Sequence, residues 1–162
     1  MPTDTQTIHI RWMITRDLPE VLRIEEDSFL WDAWTEGDFL RRMRERNCIA
    51  MVAEYGPDED NKVVGFMVYE FHKTYLVVLN FAVSPRYRRL GVGAELAAKL
   101  IGKLSADRRK RIMVNVRETN LTAQLFFRSQ GFWAARVLRR FYQTTGEDAY
   151  RMCYRYREEE NA

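Results

Sequence analysis

At 162 residues, with 46% apolar and 30% charged side chains, the chain has the composition of a single globular domain spanning 1–162, able to bury a core without metal or disulfide support. Its net charge of +3 is too small to signal nucleic-acid binding, and no apolar run reaches membrane-spanning length, so neither nucleic acid nor membrane is an expected partner. Cys48 and Cys153 show no metal-ligand spacing, which marks them as core thiols in a reducing compartment and gives no metal.

The opening M-P-T-D-T-Q-T lacks the basic-then-apolar pattern of a secretory leader, so the expected location is cytoplasmic. Residues 7–13 alternate apolar and polar side chains (Ile8, Ile10, Trp12) and predict a first strand. Asp17 and Glu20 form a D-x-x-E capping pair, with Pro19 in a first turn where its missing N–H is harmless. The helix they open carries Leu18, Val21, Leu22 and Phe29 on one face and ends near Phe29. Residues 30–34 break the helix and hold Trp31 and Trp34, which read either as core plugs or as the wall of a substrate groove. A second short helix starts at Thr35, with Phe39, Leu40 and Met43 as its apolar face.

Residues 48–55 and 63–71 predict two strands around a turn at 56–61, and 72–74 turns again. Residues 77–83 then read as a buried strand, stopped by Ser84 and Pro85. After it comes Arg88-Arg89-Leu90-Gly91-Val92-Gly93, followed by a helical run with Leu96, Ala97, Leu100, Ile101 and Leu104 on one face. A strand, a glycine-bearing turn and a helix start make a phosphate cradle. Helix N-terminal amides lack partners, the dipole favours an anion, and Gly91 and Gly93 let a pyrophosphate approach the backbone. Plain turn glycines are the alternative, since neither a P-loop nor a dinucleotide fingerprint is present. His9 and His72 fall in or beside strands with no paired ligand.

Residues 112–116 predict a further buried strand. Asn120 caps a helix over 121–130 that Gly131 ends. Residues 132–142 and 149–156 are the last two strands, and 157–162 form a frayed, charged tail. The fold class is α+β: a mixed, mostly antiparallel sheet of about seven strands with helices on both faces, in the order β-α-α-β-β-β-α-β-α-β-β.

That order resembles the GNAT N-acetyltransferase fold over nearly the whole chain, and is most similar to its RimI-like branch, which acetylates protein N-termini. The resemblance rests on N-F-A-V at 80–83 before R-R-L-G-V-G at 88–93 and on V-R-E-T-N at 116–120. It continues in Gly131-Phe132, in R-F-Y-Q-T-T-G-E-D-A-Y at 140–150, and upstream in S-F at 28–29 with W-T-E-G-D-F at 34–39. It implies acetyl-coenzyme A as cosubstrate. The pyrophosphate would lie on the amides of Arg89, Leu90, Gly91, Val92, Gly93 and Ala94, and Arg86, Arg88 and Arg89 would either meet the nucleotide's other phosphate or stay solvated. The pantetheine would pair with Phe81, Ala82 and Val83, and Asn120 would lie near the pantetheine. It also implies an amine acceptor, either a protein N-terminus such as that of a ribosomal protein or a small molecule, in a groove bordered by Trp31, Trp34 and Tyr142.

The chain departs from that branch at two positions. Asn115 stands where relatives carry a glutamate base, and Phe127 where they carry a tyrosine acid. Asn has no accessible protonation equilibrium and Phe has no O–H. Three expectations follow: transfer proceeds without those groups, or Tyr142 serves as acid with Glu118, Glu25 or Glu26 as base, or the protein binds acetyl-coenzyme A and transfers poorly. Self-association is not legible in the sequence.

Overall fold

The computed structural model describes residues 7–29, 32–57 and 61–158. Its elements are β1 (Thr7–Trp12), α1 (Leu18–Phe29), α2 (Glu36–Arg44), β2 (Cys48–Gly56), β3 (Lys62–Phe71) and β4 (Tyr75–Val83), then α3 (Val92–Ile101), β5 (Arg111–Arg117), α4 (Leu121–Ser129), β6 (Trp133–Tyr142) and β7 (Glu147–Arg155). The expected element order is therefore the observed one. The seven strands hydrogen-bond in the order β1-β2-β3-β4-β5-β7-β6. Pairs β1–β2, β2–β3, β5–β7 and β6–β7 are antiparallel, whereas β4–β5 is parallel and is joined through α3, as a parallel pair requires. Among the described residues no helix is long and apolar enough to cross a membrane.

The chain divides into two compact units, one formed by Met1–Glu70 with Leu79–Leu100 and the other by Phe71–Val78 with Ile101–Ala162. In the first, β3 is buried on both faces because side chains alternate and both faces are covered. Phe66 and Val68 join Leu18, Val21 and Ile24 of α1, Phe39 of α2, Val52 of β2 and Ala82 of β4 in one core cluster. Complete burial of a side chain such as Phe39 contributes roughly 1.5–3 kcal/mol. Gly65 points the other way, and there Val92 and Leu96 of α3 close directly onto it. Helices thus cover both faces of this unit.

In the second unit, β5 buries Ile112, Val114 and Val116 and pairs with β7 along its whole length. β6 is the outer strand, exposed almost throughout, with Trp133, Val137 and Phe141 open to solvent. Its register with β7 shifts between Ala134 and Arg136 and again between Leu138 and Tyr142. In the second irregularity Arg140 takes φ 52°, a left-handed conformation that a non-glycine residue adopts only when held. The hold is the Asp148 carboxylate, which accepts the Arg140 N–H at 2.8 Å.

Four local expectations change. Asp17 does not cap α1: it ends a short 3-10 turn (Thr15–Asp17), and its carboxylate is taken by Arg11 and the Ile14 N–H. A buried carboxylate with a guanidinium in reach pairs with it rather than with a helix amide. The 77–83 stretch is not uniformly buried, because Leu76, Val78, Asn80 and Ala82 point inward and their neighbours are half-covered. Leu104 is buried but lies beyond α3, which ends at Ile101. Gly93, expected in the turn before the helix, is already the second residue of α3, while Gly91 stays in the turn with φ 87°. Trp31, residues 58–60 of the predicted turn and residues 159–162 of the predicted tail lie outside the described residues.

Candidate functional site

The turn into α3 is built from two left-handed residues. Arg89 has φ 65° and Gly91 φ 87°, and nothing lies within 4 Å of the place a Gly91 Cβ would occupy. The Gly91 carbonyl accepts the Glu95 N–H at 2.9 Å, the first bond of the helix. By helix geometry the amides of Val92, Gly93 and Ala94 then have no acceptor within α3. Residues 88–91 are exposed, and Gly93 and Ala94 are half-buried. Arg88 leans back on β4, its Nε donating to the Val83 carbonyl at 3.4 Å. Amides without a helical acceptor, a helix dipole and two exposed arginines suit a pyrophosphate. Val92 and Leu96 anchor the turn against β3, and Gly65 provides the room.

Just upstream on β4, Asn80 is buried. Its Oδ1 accepts the Phe81 N–H at 2.9 Å, and its Nδ2 donates at 2.8 Å to Oε2 of Glu25 on α1. Glu25 is 1% exposed, and its Oε1 accepts the Trp34 N–H at 3.0 Å. Burial pushes the Glu25 carboxyl above the usual range, opposed by the bonds from Trp34 and Asn80 and reinforced by Asp32 and Asp38. The Trp34 ring packs edge-on against Phe39 with centroids 5.2 Å apart, and Arg42 lies 5.9 Å over it. Of its two readings, this packing fits that of a core plug. Glu26 is exposed.

Asn115, Asn120, Phe127 and Tyr142 belong to the second unit. Asn115 Oδ1 accepts from Arg151 Nε at 3.4 Å. Asn120 caps α4 as expected, accepting the Ala123 N–H at 3.1 Å. Phe127 is buried against Phe126 and Phe132, with centroids 5.1 and 5.2 Å away. Tyr142 ends β6, and the Arg117 guanidinium lies 3.8 Å over its ring. The turn beside it is clamped to the polar run after β5. Arg117 meets Glu147 at 3.1 Å, Thr119 donates to Glu147 at 2.6 Å, and the Asp148 N–H donates to Glu118 Oε1 at 3.1 Å. The Thr119 hydroxyl, foremost, holds the Glu147 carboxyl below the usual range. Glu118 thus serves the hairpin.

Sequence spacing gave no hint of the Glu45–Cys48–Glu70 group, whose ligand atoms lie within 4.8 Å of one another. Strand pairing sets Cys48 opposite Glu70, Arg42 pairs with both carboxylates, and the Cys48 thiol donates to Glu45. Burial pushes that thiol up to about 11, so it keeps its proton. Sequence reading also missed Gly65 and the Glu25–Asn80 pair. The one available signal was a lone polar residue, Asn80, inside an apolar strand.

A sequence profile described as the Acetyltransferase (GNAT) family matches residues 9–132. The chain is similar to the [ribosomal protein bS18]-alanine N-acetyltransferase of Escherichia coli K12, at 30% identity over 137 residues, covering 83% of this chain and 88% of that one. The crystal structure of the ribosomal-protein-S18-alanine N-acetyltransferase from Escherichia coli superposes with a TM-score of 0.76 at 26% identity, over 96% of this chain and 99% of that one. Arabidopsis thaliana NAA60, crystallised in complex with acetyl-CoA, shares the fold with a TM-score of 0.79 at 18% identity, over 93% of this chain and 100% of that one.

Proposed function

The chain belongs to the GNAT acetyltransferase family and is an acetyl-coenzyme A-dependent N-acetyltransferase, and we propose that its acceptor is the N-terminal α-amine of a protein, of the ribosomal-protein alanine type. The observation that carries this reading is the similarity to the bS18-alanine enzyme along most of both chains. Acetyl-coenzyme A supplies an activated thioester carbonyl, which a neutral amine attacks directly in a ternary complex, releasing the coenzyme thiol.

The residues of the α3 turn fit its pyrophosphate: Arg88, Arg89 and Leu90 with the amides of Gly91, Val92, Gly93 and Ala94. The left-handed Arg89 and Gly91 and the exposed position of residues 88–91 support that role. Phe81, Ala82 and Val83 would pair with the pantetheine arm, and the β4–β5 register, which runs no farther than Val78↔Val114, leaves that to the following residues of β4. Because the Phe81 N–H is engaged by Asn80, and Ala82, like Ser84, turns its N–H toward β3, the backbone donor for the developing oxyanion would come from Val83. Asn120, occupied as a helix cap by one oxygen lone pair, would still offer its amide to the pantetheine.

Proton handling is where this chain must differ from its relatives. An α-amine has a pKa of about 7.7–8.0, so part of it is neutral near pH 7 without any base. The log of kcat/KM for a peptide acceptor is therefore expected to rise with unit slope up to about pH 7.7–8.0. A stopped-rate assay over pH 5.5–9.5 checks this, and a break well below that window would reveal a side-chain base. Tyr142 is the proposed acid. Tyr142→Phe should lower kcat by about 10²-fold while leaving acetyl-coenzyme A affinity unchanged. Unaltered turnover in that variant removes Tyr142 from the mechanism.

Asn115 and Phe127 favour a second reading, in which the protein binds acetyl-coenzyme A and transfers slowly. One experiment separates the readings: acetyl-coenzyme A with peptides bearing Ala, Ser or Met N-termini, alongside small amines, followed by thiol release. Turnover of peptides supports the proposal, turnover of small amines alone redirects the acceptor, and tight cofactor binding without turnover on any acceptor establishes the second reading.

A further inference from the structure

The chain from Trp34 through Glu25 and Asn80 to Phe81 has a polarity that can run only one way. At its two ends are backbone N–H groups, Trp34 and Phe81, which can only donate. Because Phe81 donates to Asn80, the Asn80 amide must turn its Oδ1 there and its NH2 toward Glu25. Glu25 therefore faces two donors, and both of its oxygens must accept. Only a carboxyl group satisfies that position. Glutamine brings one acceptor and one donor, so one donor–donor contact must form at Trp34, at Asn80 or, after an amide flip, at Phe81. Such a contact is severe in a site where Glu25 is 1% and Asn80 7% exposed.

The two ends of this chain are also the places where the reaction is read to occur. Trp34 follows the α1–α2 break, which borders the proposed acceptor groove. Phe81 begins the β4 stretch proposed to hold the thioester arm. We propose that Glu25 is a positioning residue, whose single carboxyl fixes the loop entering α2 and the second half of β4 to each other, so that acceptor and acetyl donor are set by one buried group. The inference rests on the acetyltransferase reading above and adds a residue whose side chain touches neither reactant. The proton-transfer candidates Glu118 and Glu26 are dispensable to it.

The test exchanges donors and acceptors. E25Q should lower kcat at least tenfold and raise the acceptor-peptide KM, while the acetyl-coenzyme A dissociation constant measured by calorimetry stays within about twofold. N80D, which sets two carboxyls face to face, should be impaired similarly. The double variant E25Q/N80D restores a complementary pattern: the introduced glutamine accepts from Trp34 and donates to the introduced aspartate, whose other oxygen accepts from Phe81. It should recover most of the lost kcat.

Normal kinetics in E25Q overturn the proposal. So does a lowered thermal midpoint with unchanged kcat and KM, which would mark a purely structural bond, and so does a double variant no better than the singles. If E25Q does not fold, Glu25→Asp keeps both acceptors but withdraws them by one methylene, and wild-type kcat in that variant overturns the coupling. No turnover by the wild-type protein on any peptide or amine would instead retire the acetyltransferase reading. In that event a double variant that fails to regain the thermal midpoint lost by the singles overturns the network as well.

Discussion

Replacing Gly65 by alanine should weaken acetyl-coenzyme A binding at least tenfold and destabilise the fold by about 1–3 kcal/mol, the usual range for overpacking a tight core. A Cβ there would meet Val92 Cγ1 at 3.1 Å, the Ala82 carbonyl oxygen at 3.2 Å and Leu96 Cδ1 at 3.4 Å. The carbonyl belongs to β4 and cannot step aside, so the strain falls on α3. Val92 and Leu96 are both buried and sit in its first turns, hence the helix must lift where its amides face the proposed pyrophosphate. Each tenfold of affinity is about 1.4 kcal/mol, which a displacement of a few tenths of an ångström at charge-assisted bonds readily removes. Titration calorimetry on the folded variant gives the affinity, and thermal unfolding gives the stability. Adding Val92→Ala to Gly65→Ala should return part of both by opening the space again. An unchanged dissociation constant in the single variant would detach coenzyme binding from this end of α3.

Asp17→Ala should cost about 2–3 kcal/mol at pH 7, below the usual range for breaking a fully buried ion pair because Arg11 is partly exposed and keeps Glu54. Asp17 is 5% exposed and accepts from Arg11 Nη1 at 2.7 Å, Arg11 Nη2 at 2.8 Å and the Ile14 N–H at 2.9 Å. Its removal leaves the Ile14 amide without its acceptor and loosens the arginine that joins β1 to β2. For a chain of this size the midpoint should fall by roughly 4–12 °C.

The pH dependence has a definite sign. Burial alone would raise the Asp17 carboxyl, but the bonds from Arg11 and Ile14 outweigh it and hold the group below its ordinary value. Glu54 is likewise held low by Arg11 and Asn61 against its burial. A carboxylate depressed in the folded state contributes stability above its unfolded pKa and loses it as pH falls toward the folded one. Wild-type stability should therefore decline on acidification below about pH 4, the ordinary aspartate range, and Asp17→Asn should decline less steeply. Parallel acid-unfolding curves for the two proteins would remove Asp17 from that slope.

What could be read from the sequence was whatever a few neighbouring residues decide. Thr35 exchanges bonds with Asp38 at the start of α2, Asn120 caps α4, and Gly131 takes φ 95° beyond it, each within one helical turn. The alternation of strands and helices located the elements for the same reason, and the R-R-L-G-V-G turn announced itself by composition. The omissions involve partners brought together by the fold. Asp17 read as a cap because its following residues suit one, whereas its partner Arg11 lies earlier, on β1, where it also holds Glu54 of β2. Gly65 looked like an ordinary strand residue, since the α3 side chains that require its missing Cβ lie far along the chain. Glu25 and Asn80 are 55 positions apart, and only the packing of α1 on β4 makes them one polar unit. Asn115 and Phe127 differ in kind: their chemistry was plain from residue type alone, and the fold sets them against an arginine and two phenylalanines.

The parallel pairing of β4 with β5 governs how the chain reaches this structure in time. Hairpins such as β2–β3 and β6–β7 join segments that are close in sequence and can zip from their turns. The pairing of residues 75–78 with 111–114 must instead close a long loop before any bond repays it, and that loop contains the R-R-L-G-V-G turn and all of α3. Hairpins should therefore gain amide-exchange protection early during refolding, and β5 late.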